Sequence, residues 1–140
     1  MRCLLATNIV SEATRRQPDD RVLRWLEGQD AAETYISVLT IGEVEQGIAR
    51  LGNTKRAGEF RAWVDDVLLE AYRGRILSLD HAVLALWGRA TGEALKVGRT
   101  PPVLDSLLAA TAMAHDLVLV TRDTGDVAML PVRTFNPWEG

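Results

Sequence analysis

Residues 101–123 read PPVLDSLLAATAMAHDLVLVTRD. Thr100-Pro101-Pro102 breaks the chain and opens a helix, because proline has no amide hydrogen to lose in a first turn. The helix that follows carries Ala109, Ala110, Ala112 and Ala114, small side chains that let its axis lie close to a sheet. Past Asp116, residues 117–120 form an uninterrupted apolar run, as expected of a strand buried on both faces. A helix that packs on a sheet and then feeds a buried strand is the repeating unit of a parallel α/β sheet.

Working outward, the same unit recurs. Residues 2–6 (RCLLA) suit a short buried strand, followed by a helix over 7–16 with Ile9, Val10 and Ala13 on one side. Gln17-Pro18-Asp19-Asp20 is a turn that caps a helix over 20–29, with Val22, Leu23, Trp25 and Leu26 on its apolar face. Residues 34–38 (TYISV) read as a second strand. Thr40-x-x-Glu43 has the form of a capping box opening the next helix, which Gly52-Asn53 ends. A further helix spans 54–72, with Phe60, Trp63, Val64, Val67 and Leu68 at helical spacing, then a short strand over 75–78. Asp80 caps a helix to about 97, whose expected core is Val83, Leu84, Leu86, Trp87, Ala90 and Leu95. A final strand covers 132–135. The expected architecture is one α/β domain over residues 1–140, with a central, mostly parallel sheet of four or five short strands between helical layers. Trp25, Trp63 and Trp87 read as core, and Trp25 with Leu26 is a candidate partner-facing pair.

The chain has 140 residues, 47% of them apolar and 25% charged, a composition that supports a packed core and argues against disorder. The formal net charge of −3 argues against a protein that coats nucleic acid electrostatically. The single cysteine, Cys3, cannot form an internal disulfide and lies in an apolar segment, where it reads as core. The opening apolar stretch is shorter than the ~7–15 residues of a signal peptide's apolar region. No run approaches the ~18 apolar residues of a membrane helix. Together these favour a reducing, cytoplasmic location and no membrane partner.

In a parallel sheet the strands' carboxyl ends share one edge, so residues distant in sequence meet there. Four places supply polar groups to that edge: Ala6-Thr7-Asn8 after the first strand, Glu43 after the second, Asp105 near a helix start, and Asp123 with Asp126 after residues 117–120. Each acid has an ordinary explanation. Glu43 completes a capping box, Asp105 complements a helix dipole, and Asp123 and Asp126 sit in a turn. Together they form a set of carboxylates that repel unless a divalent cation neutralises them. Hard oxygen ligands suit Mg2+ or Mn2+, and such an ion activates water for phosphodiester hydrolysis.

With these segments in order, the chain resembles PIN-domain proteins, and specifically the VapC/FitB-type toxins of type II toxin–antitoxin pairs. The segments LLATN, ISVLTIGEVEQGIARL, DSLLAATAMAHDLVLVTRD and FNPWEG carry the likeness nearly end to end. The resemblance implies a PIN-like three-layer sandwich and an endoribonuclease that uses Mg2+, with Mn2+ as alternative, to cleave RNA with metal-activated water. It also implies a homodimer that a cognate VapB-type antitoxin neutralises, in a hetero-oligomer. Glu43, Asp105 and Asp123 match the acidic positions, with Asp105 and Asp123 as metal ligands; some relatives use an acid at the place of Asp126 instead. Thr7, Asn8, Ser37 and Thr121 match supporting hydroxyl or amide positions, and helix capping or turn bonding explains them equally well. Arg122 is a candidate RNA contact.

One position departs from the pattern. The family places an aspartate, its first metal ligand, where this chain has Ala6. The expectation is therefore an inactive or attenuated nuclease. A laboratory substitution that disarms a toxic enzyme fits the intact remainder better than natural decay, and both origins stand open. Three rival readings compete with this one. A haloacid-dehalogenase-type phosphatase needs Asp-x-Asp where this chain has Ala6 and Asn8. A receiver domain needs an acidic pair after the first strand and a phosphorylatable aspartate after the third, for which Ser78-Leu79-Asp80 is a poor substitute. A non-catalytic PIN fold that sequesters antitoxin or RNA is the strongest of the three for a chain with Ala6.

Overall fold

The computed structural model describes residues 1–140, and β1 (Cys3–Leu5) lies at the centre of its sheet. On one side lie β2 (Thr34–Ser37) and then β3 (Ile76–Leu77); on the other, β4 (Val118–Val120) and then β5 (Thr134–Phe135). Every pairing is parallel, with Cys3 opposite both Thr34 and Val118. The chain winds outward from β1 through β2 to β3, then crosses back past β1 to β4 and β5. The winding direction therefore reverses between β1 and β4, and at such a reversal the connections part and leave a crevice at the carboxyl edge.

Alternation along β1 divides the interior in two. Cys3 and Leu5 point to one face, where they pack with Ile9, Val22, Ile36, Val64, Leu68 and Val120. Leu4 and Ala6 point to the other, against Leu108, Ala109, Ala112 and Leu119. The first face is covered by α1 (Thr7–Glu12), α2 (Asp20–Glu27), α3 (Val38–Leu51) and α4 (Lys55–Trp63). The second is covered by α7 (Val103–Ala114), with α6 (His81–Lys96) packed against it. This is the expected three-layer α/β sandwich. Leu4 and Leu5 are completely buried, and each contributes about 1.5–3 kcal/mol by leaving water.

Several boundaries differ from expectation, each for a local reason. The first helix stops at Glu12 instead of reaching 16. Glu12 turns inward, 2% exposed, and its Oε2 accepts the Asp19 amide at 2.9 Å, so the chain doubles back over 13–18 to enter α2. The capping box at Thr40 does not form. Ser37 caps α3 three residues earlier, its Oγ accepting the Leu39 amide at 3.0 Å, and Thr40 is buried inside the helix. The helix expected over 54–72 is interrupted after α4 by a π turn (Val64–Leu68) before α5 (Leu69–Ala71). The wider turn puts both Val64 and Leu68 into the core and leaves Val67 exposed. Leu84 and Leu95, expected in the core, are also exposed, because α6 is covered on one side only. Trp25 lies against Phe135 with ring centroids 5.4 Å apart and planes tilted by 30°, and both Trp25 and Leu26 pack on the core while staying partly exposed.

Candidate metal centre

The crevice between β1 and β4 is organised by the two residues that follow Ala6. Thr7 donates its hydroxyl to Glu43 Oε1 at 2.6 Å and lies 3.0 Å from the Thr40 hydroxyl. Asn8 reaches the opposite way. Its Nδ2 donates to Asp123 Oδ2 at 3.1 Å and, at 3.5 Å, to Thr121 Oγ1. Thr121 Oγ1 in turn accepts the Asp123 amide at 3.1 Å, which fixes the turn after β4. Thus the start of α1 draws one carboxylate from α3 and another from the loop after β4 to the same sheet edge.

Asp105 joins them from the first turn of α7. Burial holds its carboxyl above the ordinary carboxylate range, and the negative charges of Asp123, Asp126 and Glu43 raise it further. Asp126 reaches this edge from the short 3-10 turn Thr124–Val127. None of the four carboxylates takes part in an ion pair, although Arg and Lys side chains pair with acids elsewhere on the molecule. Close by, Asn8 Oδ1 is a buried acceptor with no hydrogen-bond partner.

These observations test what the site can hold. Oxygen-only donors, mutual repulsion, no protein cation and an orphaned buried acceptor suit a hard divalent cation. The spacing falls short: no three His, Cys, Asp or Glu side chains approach one another closely enough to enclose a metal. Ala6 adds no oxygen to this edge. It continues β1 on the face packed by α7, 4% exposed, and its methyl group provides no donor.

Of the sequence-expected residues, Glu43, Asp105, Asp123 and Asp126 share this edge, and Thr7, Asn8 and Thr121 bond to them or around them. Ser37 is engaged as the cap of α3. Arg122 is exposed and lies over the Trp138 ring. A capping role for Thr40 gives no hint of its hydroxyl contact with Thr7. Ser37, a good capping residue three positions earlier, was the signal that frees it. Beside the acids, Val44, Ile48, Leu51, Phe60 and Trp63 line a groove of about 450 Å3 that shares Thr7 and Glu43 with the carboxylate site.

A family model described as the PIN domain matches residues 3–128. The chain belongs to the PIN-domain family. PIN-domain ribonucleases act with a divalent metal, which accords with the donor chemistry of this edge. Toxin FitB of Neisseria gonorrhoeae is 36% identical over 135 residues, covering 96% of this chain and 97% of the relative. A VapC ribonuclease of Sinorhizobium fredii is 32% identical over 136 residues, covering 97% of each. The crystal structure of FitAcB from Neisseria gonorrhoeae superposes with a TM-score of 0.94 at 36% identity, covering 99% of both chains. A structure of FitAB bound to an IR36 DNA fragment gives 0.92 at 35% identity, covering 97% of this chain and 95% of that one.

Proposed function

We propose that this PIN protein is the toxin of a type II toxin–antitoxin pair, built as an Mg2+-dependent endoribonuclease and left inactive or attenuated by Ala6. The observation that carries the reading is the set of unpaired carboxylates at the β1/β4 edge, beside the methyl group of Ala6. Asp105 and Asp123 are the proposed metal ligands, Glu43 an acid of the same centre, and Asp126 the alternative to Asp123. A divalent cation held there supplies Lewis acidity toward a phosphoryl oxygen and lowers the pKa of water. The protein's own groups do the positioning. Thr7 fixes the Glu43 carboxylate, Asn8 and Thr121 fix Asp123, and Arg122 meets an RNA phosphate. Ser37 supports the site through the start of α3.

The same reading makes the protein a cytoplasmic homodimer that binds a VapB-type antitoxin. The apolar groove beside Glu43 suits an amphipathic segment of that partner. An antitoxin arginine suits the carboxylates, whose oxygens can accept its guanidinium as a fork.

The test is cleavage of structured RNA by the chain as it stands and by Ala6→Asp, with Mg2+ and with EDTA. Ala6→Asp is expected to cut only with metal, and at least about a hundredfold faster, since a misplaced reacting group alone costs on that order. Equal rates for the two chains would remove position 6 from the metal centre. One observation favours a second reading: no three acids close on a metal as the chain stands. If neither chain cuts RNA, a binding-only PIN protein that sequesters antitoxin or RNA becomes the better account.

A further inference from the structure

The FNPWEG segment is unused by the metal centre, yet it is built around one residue beside that centre. The Trp138 ring lies under the Arg122 guanidinium, 5.2 Å from centroid to carbon. Asn136 holds both partners. Its Nδ2 donates to the Arg122 carbonyl at 3.3 Å, and its Oδ1 accepts the Trp138 amide at 2.8 Å. The Asn136 carbonyl also accepts the amides of Glu139 and Gly140. Upstream, the Thr121 amide donates to the Phe135 carbonyl at 3.0 Å, tying residue 121 to the end of β5. Trp138 itself is 6% exposed and anchored in the α1–α4 core.

Arg122 is thus held at its backbone and its side chain, while its charge is left unspent. It forms no ion pair, although it directly precedes Asp123. The nearby carboxylate of Asp19 is already forked by Arg21 through Nε and Nη2. A guanidinium stacked on a ring keeps its edge N–H groups free for an anion, and stacking restricts the rotamers that binding would otherwise have to freeze.

We infer that Trp138 is a positioning residue: by stacking, it holds Arg122 as a preformed clamp for a backbone phosphate of single-stranded RNA next to the scissile one. The inference rests on the ribonuclease reading. It assigns the clamp to the pairing of β5 with β4, so that the final turn of the fold serves substrate binding as well as core closure.

The test measures binding of a fluorescein-labelled 12-nucleotide single-stranded RNA by anisotropy, from 50 to 200 mM KCl in EDTA, with the full chain. Arg122→Ala is expected to reduce the slope of log affinity against log salt by about 0.7, the loss of one phosphate contact on a single strand. Trp138→Leu is expected to reduce the slope similarly, Trp138→Phe much less, and Arg122→Ala with Trp138→Leu no more than Arg122→Ala alone. Asn136→Ala gives the same direction without emptying the core, and it decides the matter if Trp138→Leu fails to fold. In the Ala6→Asp background the same variants are expected to raise KM several-fold at nearly constant kcat. An unchanged slope in Arg122→Ala overturns the clamp. A reduced slope in Arg122→Ala with none in Trp138→Leu and Asn136→Ala overturns the positioning role. If Ala6→Asp cuts RNA while the slopes stay unchanged, only this inference falls. If the chain neither binds nor cuts RNA, the ribonuclease reading falls with it.

Discussion

Position 6 concentrates the chemistry of this protein in one side chain. An aspartate there would sit on a nearly closed face beside acids that already repel one another. In EDTA, Ala6→Asp should therefore melt several degrees below the chain as it stands, since about 1 kcal/mol shifts a domain of this size by a few degrees. Millimolar Mg2+ should reverse the order if it binds the variant well, because ligand at a hundred times its dissociation constant adds about 2.7 kcal/mol. Differential scanning fluorimetry of both chains with and without Mg2+ checks this, and equal Mg2+ shifts would contradict it. Asp105→Asn in the same background should abolish the Mg2+ shift. Elsewhere on β1, burial pushes the Cys3 thiol from an ordinary 9.0 up to about 11, the terminal amine opposing and Glu33 adding to the shift. The folded chain thus favours the protonated thiol. That contribution to stability is whole below pH 9 and is lost as the pH rises from 9 toward 11. Iodoacetamide at pH 8 should label native Cys3 far more slowly than the unfolded chain, and equal rates would mean the thiol is open to solvent.

Among the elements, α7 shows how much could be read in advance. Its alanines forecast a close approach to the sheet, and Ala109 and Ala112 are fully buried against Leu4 and Leu119. Ala109→Leu should cost about 1–3 kcal/mol by overpacking, read as a lower denaturation midpoint in urea; no change would place a void where none is expected. The strands were legible for the same reason: residues 117–120 and β1 are apolar without alternation, as burial on both faces requires. Glu43, Asp123 and Asp126 could be named from their places after strands and Asp105 from its place near a helix start, and β1/β4 adjacency then brings Asn8 to Asp123. Three features escaped. The true start of α3 was hidden by two overlapping capping patterns, Ser37 and Thr40, both plausible locally. The π turn at Val64–Leu68 was unreadable because helical spacing assigns Val64, Val67 and Leu68 to one stripe, whereas the wider turn rotates Val67 out. The early end of α1 depends on Glu12 accepting an amide seven residues away, which no periodicity records. Ser37→Ala should accordingly lower stability by about 0.5–2 kcal/mol as a lost helix cap, measured by urea denaturation.

For the molecule as a whole, the β1/β4 edge and the adjoining groove lined by Phe60 and Trp63 make one continuous surface, half charged and half apolar. An antitoxin that occupies both should bind this chain despite Ala6, because the apolar half is untouched. Size-exclusion chromatography with light scattering, after co-expression with the neighbouring open reading frame, should reveal a toxin dimer carrying antitoxin; monomer without any companion would count against it. The sheet order has a further consequence, in the time domain. β1 is made well ahead of its partner on one side, β4, which follows more than a hundred residues later, and the Asn8–Asp123 hydrogen bond spans 115 positions. Such distant closure is slow, since loop entropy is lost before the pairing compensates for it. Glu43 is therefore in place in the chain well before the acidic edge can assemble, because that edge waits for Asp123 after β4. A nuclease built on this topology has no assembled acidic edge until β4 is made and paired, so the pocket is among the last parts of the molecule to form.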